Sequence, residues 1–194
     1  MKLLNTLLVT TFIATVFTAC APIVVGTAAS GGSALHSRRT VGTFVDDQGI
    51  ELKASLAIRE AEGLSSQIHF NIISVNGVVL IVGQAPTEPL RQQTQTIVAG
   101  VEKVRHVHNE LAIAAPNSFM TRSSDTFITT KVKTDMLGIK GLPDFDPTRV
   151  KVVTEDGVVY LMGLVYRNEA EAVSARARQV GGVEKVVKLF EYMD

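Results

Sequence analysis

The sequence lacks residues on which several kinds of site and stabilising bond depend. Its 194 residues include no tryptophan and one cysteine, Cys20, so neither an internal disulfide nor a cysteine-based zinc cluster is available. Nineteen basic and nineteen acidic residues leave no net charge, which argues against nucleic acid as a partner. The fold must therefore depend on apolar cores, and 46% of the residues are hydrophobic.

The amino-terminal segment, MKLLNTLLVTTFIATVFTAC, has the layout of an export signal. One early lysine precedes an apolar stretch that is too short to span a bilayer comfortably, so we predict a signal peptide over residues 1–19. The string FTAC resembles a bacterial lipobox, in which Cys20 receives acyl chains such as palmitate after cleavage behind Ala19. Ala21 in place of aspartate favours sorting to the outer membrane. The alternative is an ordinary signal peptide with an incidental cysteine.

Residues 20–45 are rich in glycine, alanine, serine and threonine and show no sustained periodicity. We predict a flexible tether with a root-mean-square span of about 25–30 Å. Arg38 and Arg39, near its end, are expected to be a solvated pair rather than a contact for anionic headgroups.

One unit of sequence occurs twice in the remaining chain. At an offset of 80 residues NGVVLIVG (76–83) aligns with DGVVYLMG (156–163), and at 82 residues GVEKV occurs at both 100–104 and 182–186. The offset changes only between periodic segments, which indicates a duplicated module. We predict a first domain over 46–115, a linker over 116–123 and a second domain over 124–194.

Each module has the pattern helix, strand, strand, helix, strand. Asp46 or Asp47 is the expected N-cap of the first helix in the first copy, as is Ser124 or Asp125 in the second. The Asn-Gly and Asp-Gly pairs predict two-residue hairpin turns, and the almost wholly apolar strands after them predict central strands. The fold class is therefore α+β, with two tandem modules that each place both helices on one face of a small sheet.

The helix beginning Asp-x-x-Ile, the [ND]GVVxLxG hairpin strand and the GVxxV close resemble the BON domain, a bacterial envelope module. Two such modules behind a lipobox are similar to the dual-BON outer-membrane lipoproteins. The resemblance covers nearly the whole chain after the leader. It implies a mixed sheet in each module, and a role in phospholipid binding and envelope integrity without catalysis.

Candidate catalytic and metal sites are weak in this sequence. His106 and His108 alternate on a strand and would place both rings on one face, but no further ligand lies at suitable spacing. Asp144 and Asp146 are typical of a turn before a strand. We therefore predict no catalytic group, no metal and no cofactor.

A candidate lipid site lies on the first helix of the second module. At about 100° per residue, Ile128 and Val132 face the core, and a neighbouring stripe carries an aromatic ring and cations. An interfacial helix uses such a ring at the acyl–headgroup boundary and such cations for phosphate. The predicted lipid-binding residues are Phe127, Thr130, Lys131, Lys133, Thr134 and Leu137.

The residues alone leave two interpretations of Phe127 open, because the ring either reaches a membrane or packs against the first module or the linker. The resemblance favours the membrane, since the family aligns an aromatic residue at this position and assigns lipid contact to this helix. Asp135, an acid on the same helix, counts against a strong attraction to anionic lipid.

Two functional hypotheses of different classes follow. In the first, the chain is a non-enzymatic lipoprotein on the periplasmic face of the outer membrane, where it binds anionic phospholipid such as phosphatidylglycerol and supports envelope integrity and division-site function. In the second, it is a protein-interaction module whose sheets, or the groove between modules, hold envelope partners during outer-membrane protein assembly or septal peptidoglycan remodelling. A hydrolase is a remote third.

Overall fold

The computed structural model describes residues 38–116 and 119–194, with only the backbone of Phe119 and Met120. The predicted signal peptide, Cys20 and most of the predicted tether lie outside the described residues. Within the described part, no helix combines the length and apolar character that crossing a membrane requires.

Each domain contains the predicted order of helices and strands. The first consists of α1 (Val41–Glu60), β1 (His69–Val75), β2 (Val78–Ala85), α2 (Glu88–Ala99) and β3 (His106–Ile113). The second consists of α3 (Phe119–Met136), a short 3-10 helix (Pro147–Arg149), β4 (Lys151–Glu155), β5 (Val158–Val165), α4 (Arg167–Arg178) and β6 (Lys185–Tyr192). This arrangement confirms the predicted α+β class and the duplication.

Each sheet is mixed, and its central strand is the second in sequence. In the first sheet β2 runs antiparallel to β1 and parallel to β3, with Val79 opposite both Ser74 and Val107. In the second sheet β5 pairs with β4 and β6 in the same way. All eight residues of β2 are buried, because helices cover one face of the sheet and protein covers the other.

The two hairpin turns have the conformation that their sequences predict. Asn76 and Gly77 have φ angles of 54° and 74°, and Asp156 and Gly157 have 51° and 73°. Two consecutive residues in the left-handed region define a type I′ turn, whose twist matches that of the paired strands. The Asn-Gly and Asp-Gly pairs therefore fix both hairpins.

The glycine that ends each repeated strand motif allows a close approach of two strands. Gly83 has a φ of 130°, and a Cβ there would lie 2.1 Å from the carbonyl oxygen of His69. At the equivalent Gly163 a Cβ would lie 2.5 Å from the carbonyl oxygen of Arg149. A larger residue at either position would force the hairpin strands apart.

Both first helices begin earlier than predicted. α1 begins at Val41, and the Thr40 side chain accepts a hydrogen bond of 3.1 Å from the backbone N–H of Thr43. Residues 41–45 therefore belong to the first helix and not to the tether. α3 begins at Phe119, within the segment predicted to be a linker. The prediction was wrong here because the expected caps, Asp46 or Asp47 and Ser124 or Asp125, lie nearly two turns beyond the observed helix starts.

The aspartates predicted as caps hold the hairpin turns instead. Asp47 is 3% exposed and accepts hydrogen bonds from both backbone N–H groups of the Asn76-Gly77 turn, at 2.8 and 2.9 Å. Asp125 does the same for the Asp156-Gly157 turn, at 2.9 and 3.0 Å. Ser124 lies inside α3. Each module thus fastens its first helix to its hairpin through one buried carboxylate.

Three apolar clusters hold the described part together. One lies between the helices and the sheet of the first domain, and a second occupies the same place in the second domain. The third lies between the two sheets, where buried residues of β1 and β2 meet those of β5. Its buried members are Ile73, Val75, Val78, Leu80, Val82, Tyr160 and Met162. The layers therefore run helix, sheet, sheet, helix, and the sheet faces named in the second hypothesis are not free for a protein partner.

Polar contacts surround the apolar interface between the sheets. The amide of Gln84 donates to the carboxylate of Glu155 at 2.6 Å. Asn76 and Arg105 both donate to Glu191, at 2.7 and 2.8 Å. These contacts fix the two sheets in one relative position, which the apolar side chains alone would specify less sharply.

Two ionisable groups in this interface are shifted toward their neutral forms. Burial raises the pKa of Glu155, although the Gln84 hydrogen bond and the charge of His69 act in the opposite direction. Burial and the nearby charges of Glu110 and Glu155 raise the pKa of Tyr160 to about 12. The Tyr160 phenol is therefore neutral at physiological pH, as an apolar interface requires.

Arg38 and Arg39 do not form the solvated pair that the sequence suggested. Arg38 makes a bidentate ion pair with Glu169 of the second domain, at 2.6 and 2.8 Å. Arg39 donates to Asp47 of the first domain at 2.7 Å. Both carboxylates are buried and therefore need a cation nearby, and this explains why the arginines are drawn onto the protein.

Candidate functional site

The helix α3 packs one apolar stripe against the sheet of the second domain. Ile128, Val132 and Met136 recur at helical spacing, and each is at most 5% exposed. The opposite side of α3 faces solvent. This orientation sets which side chains a partner or a membrane can reach.

Five of the six residues predicted for lipid binding lie on the exposed side of α3, and Leu137 is exposed just beyond its last residue. Phe127 is 61% exposed and Leu137 is 70% exposed, so neither is packed beneath the first domain. The other four are also exposed: Thr130, Lys131, Lys133 and Thr134. The described protein does not cover the Phe127 ring, and the contact of this ring with a membrane stays a prediction.

The two lysines of this surface have different surroundings. The ammonium of Lys131 lies 4.5 Å from the centroid of the Phe127 ring, within reach of a cation–π interaction. Lys133 has no acidic partner among the described residues. The surface therefore presents an aromatic ring with its own cation and a second, unpaired cation two residues further along.

The threonines on α3 are less polar than their side chains suggest. The hydroxyls of Thr126, Thr130 and Thr134 each donate to the backbone carbonyl four residues earlier, at 2.9, 3.0 and 2.9 Å. A hydroxyl that is already bonded to the helix needs less hydration when it leaves water. Moving this face into a membrane interface is therefore easier than the threonine content implies.

Asp135, the acid that the sequence identified as unfavourable, lies near a cation. Its carboxylate is 3.8 Å from the Arg176 guanidinium of α4, and both side chains are partly exposed. The pair is on the flank of α3 that faces α4. Its negative charge is therefore partly compensated before any lipid approaches.

The first domain exposes a different apolar stripe, which the sequence interpretation missed. Gly49 occupies the position equivalent to Phe127, and the outer side of α1 instead carries Val41, Val45, Leu52 and Leu56, all exposed. Spacings of four, seven and four residues place these side chains on one helix face. The pattern was available in the sequence, but Val41 and Val45 were assigned to the tether.

The histidine pair on β3 shares one face of the strand, as predicted. The His106 and His108 rings lie 4.5 Å apart in an edge-to-face arrangement. Burial and the charge of His106 lower the pKa of His108, while Glu110 opposes the shift. In residues 38–116 and 119–194, no group of three or more histidine, cysteine, aspartate or glutamate side chains is placed to hold a metal.

The predicted turn at Asp144 and Asp146 is also present. Asp146 is the N-cap of the short 3-10 helix and accepts from the backbone N–H of Thr148 at 2.8 Å. This carboxylate has a local structural bond, which explains the acidic residue without any acid–base role.

Taken together, the described residues define a protein of two duplicated α+β modules, with sheets packed face to face and an exposed apolar and cationic helix. The family model of the BON domain matches residues 46–115 and 124–194. The chain belongs to the BON-domain family.

Three curated relatives share most of their length with this chain. The outer membrane lipoprotein DolP of Haemophilus influenzae is 35% identical over 90% of this chain and 89% of its own. The 21 kDa hemolysin of Actinobacillus pleuropneumoniae is 34% identical over 80% of this chain and 78% of its own. The osmotically inducible protein Y of Escherichia coli is 29% identical over 77% and 74%. Each match covers more than three quarters of this chain, so each includes residues of both modules.

Proposed function

We propose that this protein is a non-enzymatic outer-membrane lipoprotein that docks on anionic phospholipid through α3 and supports envelope integrity and division-site function. Cys20 would carry the lipid anchor, and the folded domains would lie on the periplasmic face. The name of the relative DolP, an outer membrane lipoprotein, supports the location. No cofactor or metal enters this proposal.

The observation that carries the proposal is the exposure of Phe127 beside a cation. The ring is 61% exposed, and Lys131 lies 4.5 Å from its centroid. A surface ring can enter the acyl–headgroup boundary while the ammonium meets a phosphate. Leu137, one end of the same surface, adds a second exposed apolar side chain.

The expected affinity of this surface is low, which fits an anchored protein. Burial of the Phe127 ring contributes about 2 kcal/mol, and each lysine near an anionic surface contributes about 1 kcal/mol. These contributions alone give a weak, reversible contact. An acylated Cys20 would keep α3 at high local concentration near the membrane, so weak contact is enough.

Vesicle sedimentation tests the proposal with a chain that starts at Ala21. Such a chain retains all three described apolar clusters, which lie after residue 40. We expect it to sediment with phosphatidylglycerol vesicles and not with phosphatidylcholine vesicles. The double change Phe127→Ala with Lys131→Glu should lower binding about a hundredfold or more, because it removes ring burial and reverses one charge.

The first domain provides the matched control for this experiment. Leu56→Ala with Lys53→Glu makes the same charge change and also removes an exposed apolar side chain, but on α1. This variant should sediment like the unchanged protein, and both variants should keep the unchanged circular dichroism spectrum. If the Phe127 variant still binds, or if both variants lose binding equally, α3 is not the docking surface.

A second candidate function, protein interaction, is favoured by the exposed stripe on α1. Leu52 is 62% exposed at the centre of this stripe, between Val45 and Leu56. An apolar helix face of this kind is suited to a groove or helix of an envelope protein partner. Because the sheet faces are covered, α1 is the surface on which such a partner would bind.

Capture of partners from solubilised envelopes tests this second function. We expect Leu52→Glu to lower the amount of captured protein about tenfold or more, since it places a charge at the centre of the contact. The Phe127→Ala, Lys131→Glu variant should keep the same proteins. Loss of partners from the Phe127 variant, with none from Leu52→Glu, would show that α1 is not the interaction surface.

A further inference from the structure

A cavity of about 440 Å³ opens beside the carboxyl-terminal half of α3. It lies between that helix, the 3-10 helix and the strand β4, and its volume is in the range of sites that bind small molecules. Its lining residues are Lys133, Thr134, Leu137, Pro147, Thr148, Val150, Lys151 and Val152.

The chain between α3 and β4, which forms one side of the cavity, is longer than the equivalent connection in the first domain. Residues 137–150 leave the end of α3 and return through the 3-10 helix before β4 begins. In the first domain the shorter segment 61–68 makes the same connection, and its Leu64 is 1% exposed in the core. In the second domain Ile139 and Phe145 of the connection pack against the core, and Pro147 and Thr148 line the cavity.

The floor of the cavity is apolar and its edge is cationic. Val150 and Val152 are each 5% exposed, and Pro147 lies beside them. Lys133 and Lys151 both line this cavity, and the Lys151 ammonium is paired with Glu51 of α1. An apolar floor with two cations is complementary to a molecule that has a hydrocarbon chain and an anionic head.

The cavity is continuous with the proposed docking surface. Lys133, Thr134 and Leu137 belong both to the cavity lining and to the surface predicted for lipid binding. Leu137 is 70% exposed at this junction, so the path between surface and cavity is open. A lipid in contact with α3 would therefore meet the cavity without leaving the membrane interface.

We infer that this cavity binds one acyl chain of an anionic phospholipid, with the phosphate held between Lys133 and Lys151. The inference rests on the proposed docking of α3 and adds a discrete site for a single lipid molecule to it. The chain lies along Leu137, Val150 and Val152. Lys151 also donates to Glu51 of α1 at 3.1 Å, and an ammonium has three donors, so it can keep that contact while it meets the phosphate.

A short-chain phosphatidylglycerol kept below its micelle concentration tests the inference, because such a lipid cannot form a bilayer. Added to the chain that starts at Ala21, it should bind saturably with one molecule per protein. The amide chemical shifts of Leu137, Val150 and Val152 should move together. Short-chain phosphatidylcholine and inorganic phosphate should bind at least about tenfold more weakly, because the first lacks the net negative charge and the second lacks the chain.

A variant that fills the cavity separates this site from surface docking. Thr148 is exposed at the cavity edge and lies outside the predicted docking residues, so Thr148→Trp should occupy the space while α3 is left unchanged. We expect it to weaken binding of the short-chain lipid about tenfold, the effect of losing roughly two buried methylene groups. Sedimentation with phosphatidylglycerol vesicles should persist. Thr148→Ser, which keeps the hydroxyl bond to Asp146, is the control.

The outcomes distinguish this inference from the proposed function. Vesicle binding without saturable binding of the single lipid, or unchanged affinity in Thr148→Trp, would overturn the acyl-chain site and leave surface docking in place. Saturable lipid binding without vesicle sedimentation would support the site and refute docking. If a leucine-rich peptide moves the amides of Val150 and Val152 while the lipid does not, the cavity binds peptide and the inference is wrong.

Discussion

Replacing Arg38 with alanine is expected to lower the free energy of unfolding at neutral pH by about 3–5 kcal/mol. The Glu169 carboxylate is 2% exposed, and Arg38 makes a bidentate pair with it at 2.6 and 2.8 Å. Without the guanidinium, the buried carboxylate keeps the hydrogen bond from the backbone N–H of Tyr166, at 2.9 Å, and the charge of Arg149. Urea denaturation followed by circular dichroism measures the loss.

The pH dependence of this loss identifies its cause. Burial alone would raise the pKa of Glu169, but the Arg38 hydrogen bond, the Tyr166 N–H and the charges of Arg38 and Arg149 together lower it. A lowered folded-state pKa means that the ion pair contributes stability above the unfolded pKa, near 4.3, and loses it as the pH falls through the folded value. The Arg38→Ala deficit should therefore shrink as the pH falls below about 4.

Two controls make the Arg38 prediction specific. The Arg167 guanidinium lies 4.6 Å from the centroid of the Tyr192 ring, and that of Arg38 lies at the same distance from the Tyr166 ring. Unlike Arg38, Arg167 is exposed. Arg167→Ala should lower stability by less than about 1 kcal/mol. Adding Glu169→Gln to Arg38→Ala should recover part of the loss, since no unpaired charge is left. A deficit in Arg38→Ala that is equally large at pH 7 and pH 3 would show that the ion pair is not its source.

Most of the fold could be predicted because its signals are local. A two-residue turn such as Asn76-Gly77 depends only on its own dihedral angles, and the stripe of Ile128, Val132 and Met136 depends only on helical spacing. The duplication gave each local pattern a second instance. Both domains therefore contain the expected order of helices and strands.

The packing of one sheet on the other could not be predicted from the sequence. Apolar residues on both faces of β2 indicate that both faces are covered, but they do not identify the second cover. In the structure Leu80 and Val82 meet Tyr160 and Met162 of the sister module. The same limitation applied to Arg38, whose partner Glu169 lies 131 residues further along the chain.

The candidate site was predicted as a stripe, and the structure adds the surroundings of each residue. Helical spacing separates Phe127 from the core, but exposure depends on whether another domain covers the ring. The contact of Lys131 with Phe127 and the cavity beside Leu137 depend on rotamers and on the path of residues 137–150. Such features are set by tertiary packing.

Asp47→Ala is the second large expected effect, and it should lower the free energy of unfolding by about 3–5 kcal/mol. Besides the two turn N–H groups, Asp47 accepts from the hydroxyl of Ser74 at 2.7 Å and from the Arg39 guanidinium at 2.7 Å. Removal leaves these donors without the carboxylate in a buried site, and each unsatisfied buried group costs about 1–3 kcal/mol. Thermal and urea denaturation give the loss, and faster hydrogen exchange at the Asn76 and Gly77 amides locates it.

Variants of two other aspartates, Asp125 and Asp46, distinguish the fastening of a hairpin from the capping of a helix. Asp125→Ala should also lower stability, by about 2–3 kcal/mol, because that carboxylate accepts hydrogen bonds from the backbone N–H groups of Asp156 and Gly157. Asp46, next to Asp47 on α1, pairs only with the exposed Lys103 within the described residues, so Asp46→Ala should change stability far less. If Asp46→Ala and Asp47→Ala were equally destabilising, the loss of a negative charge from the first helix would explain both effects. A large loss confined to Asp47 and Asp125 would instead support the fastening of each hairpin by its buried carboxylate.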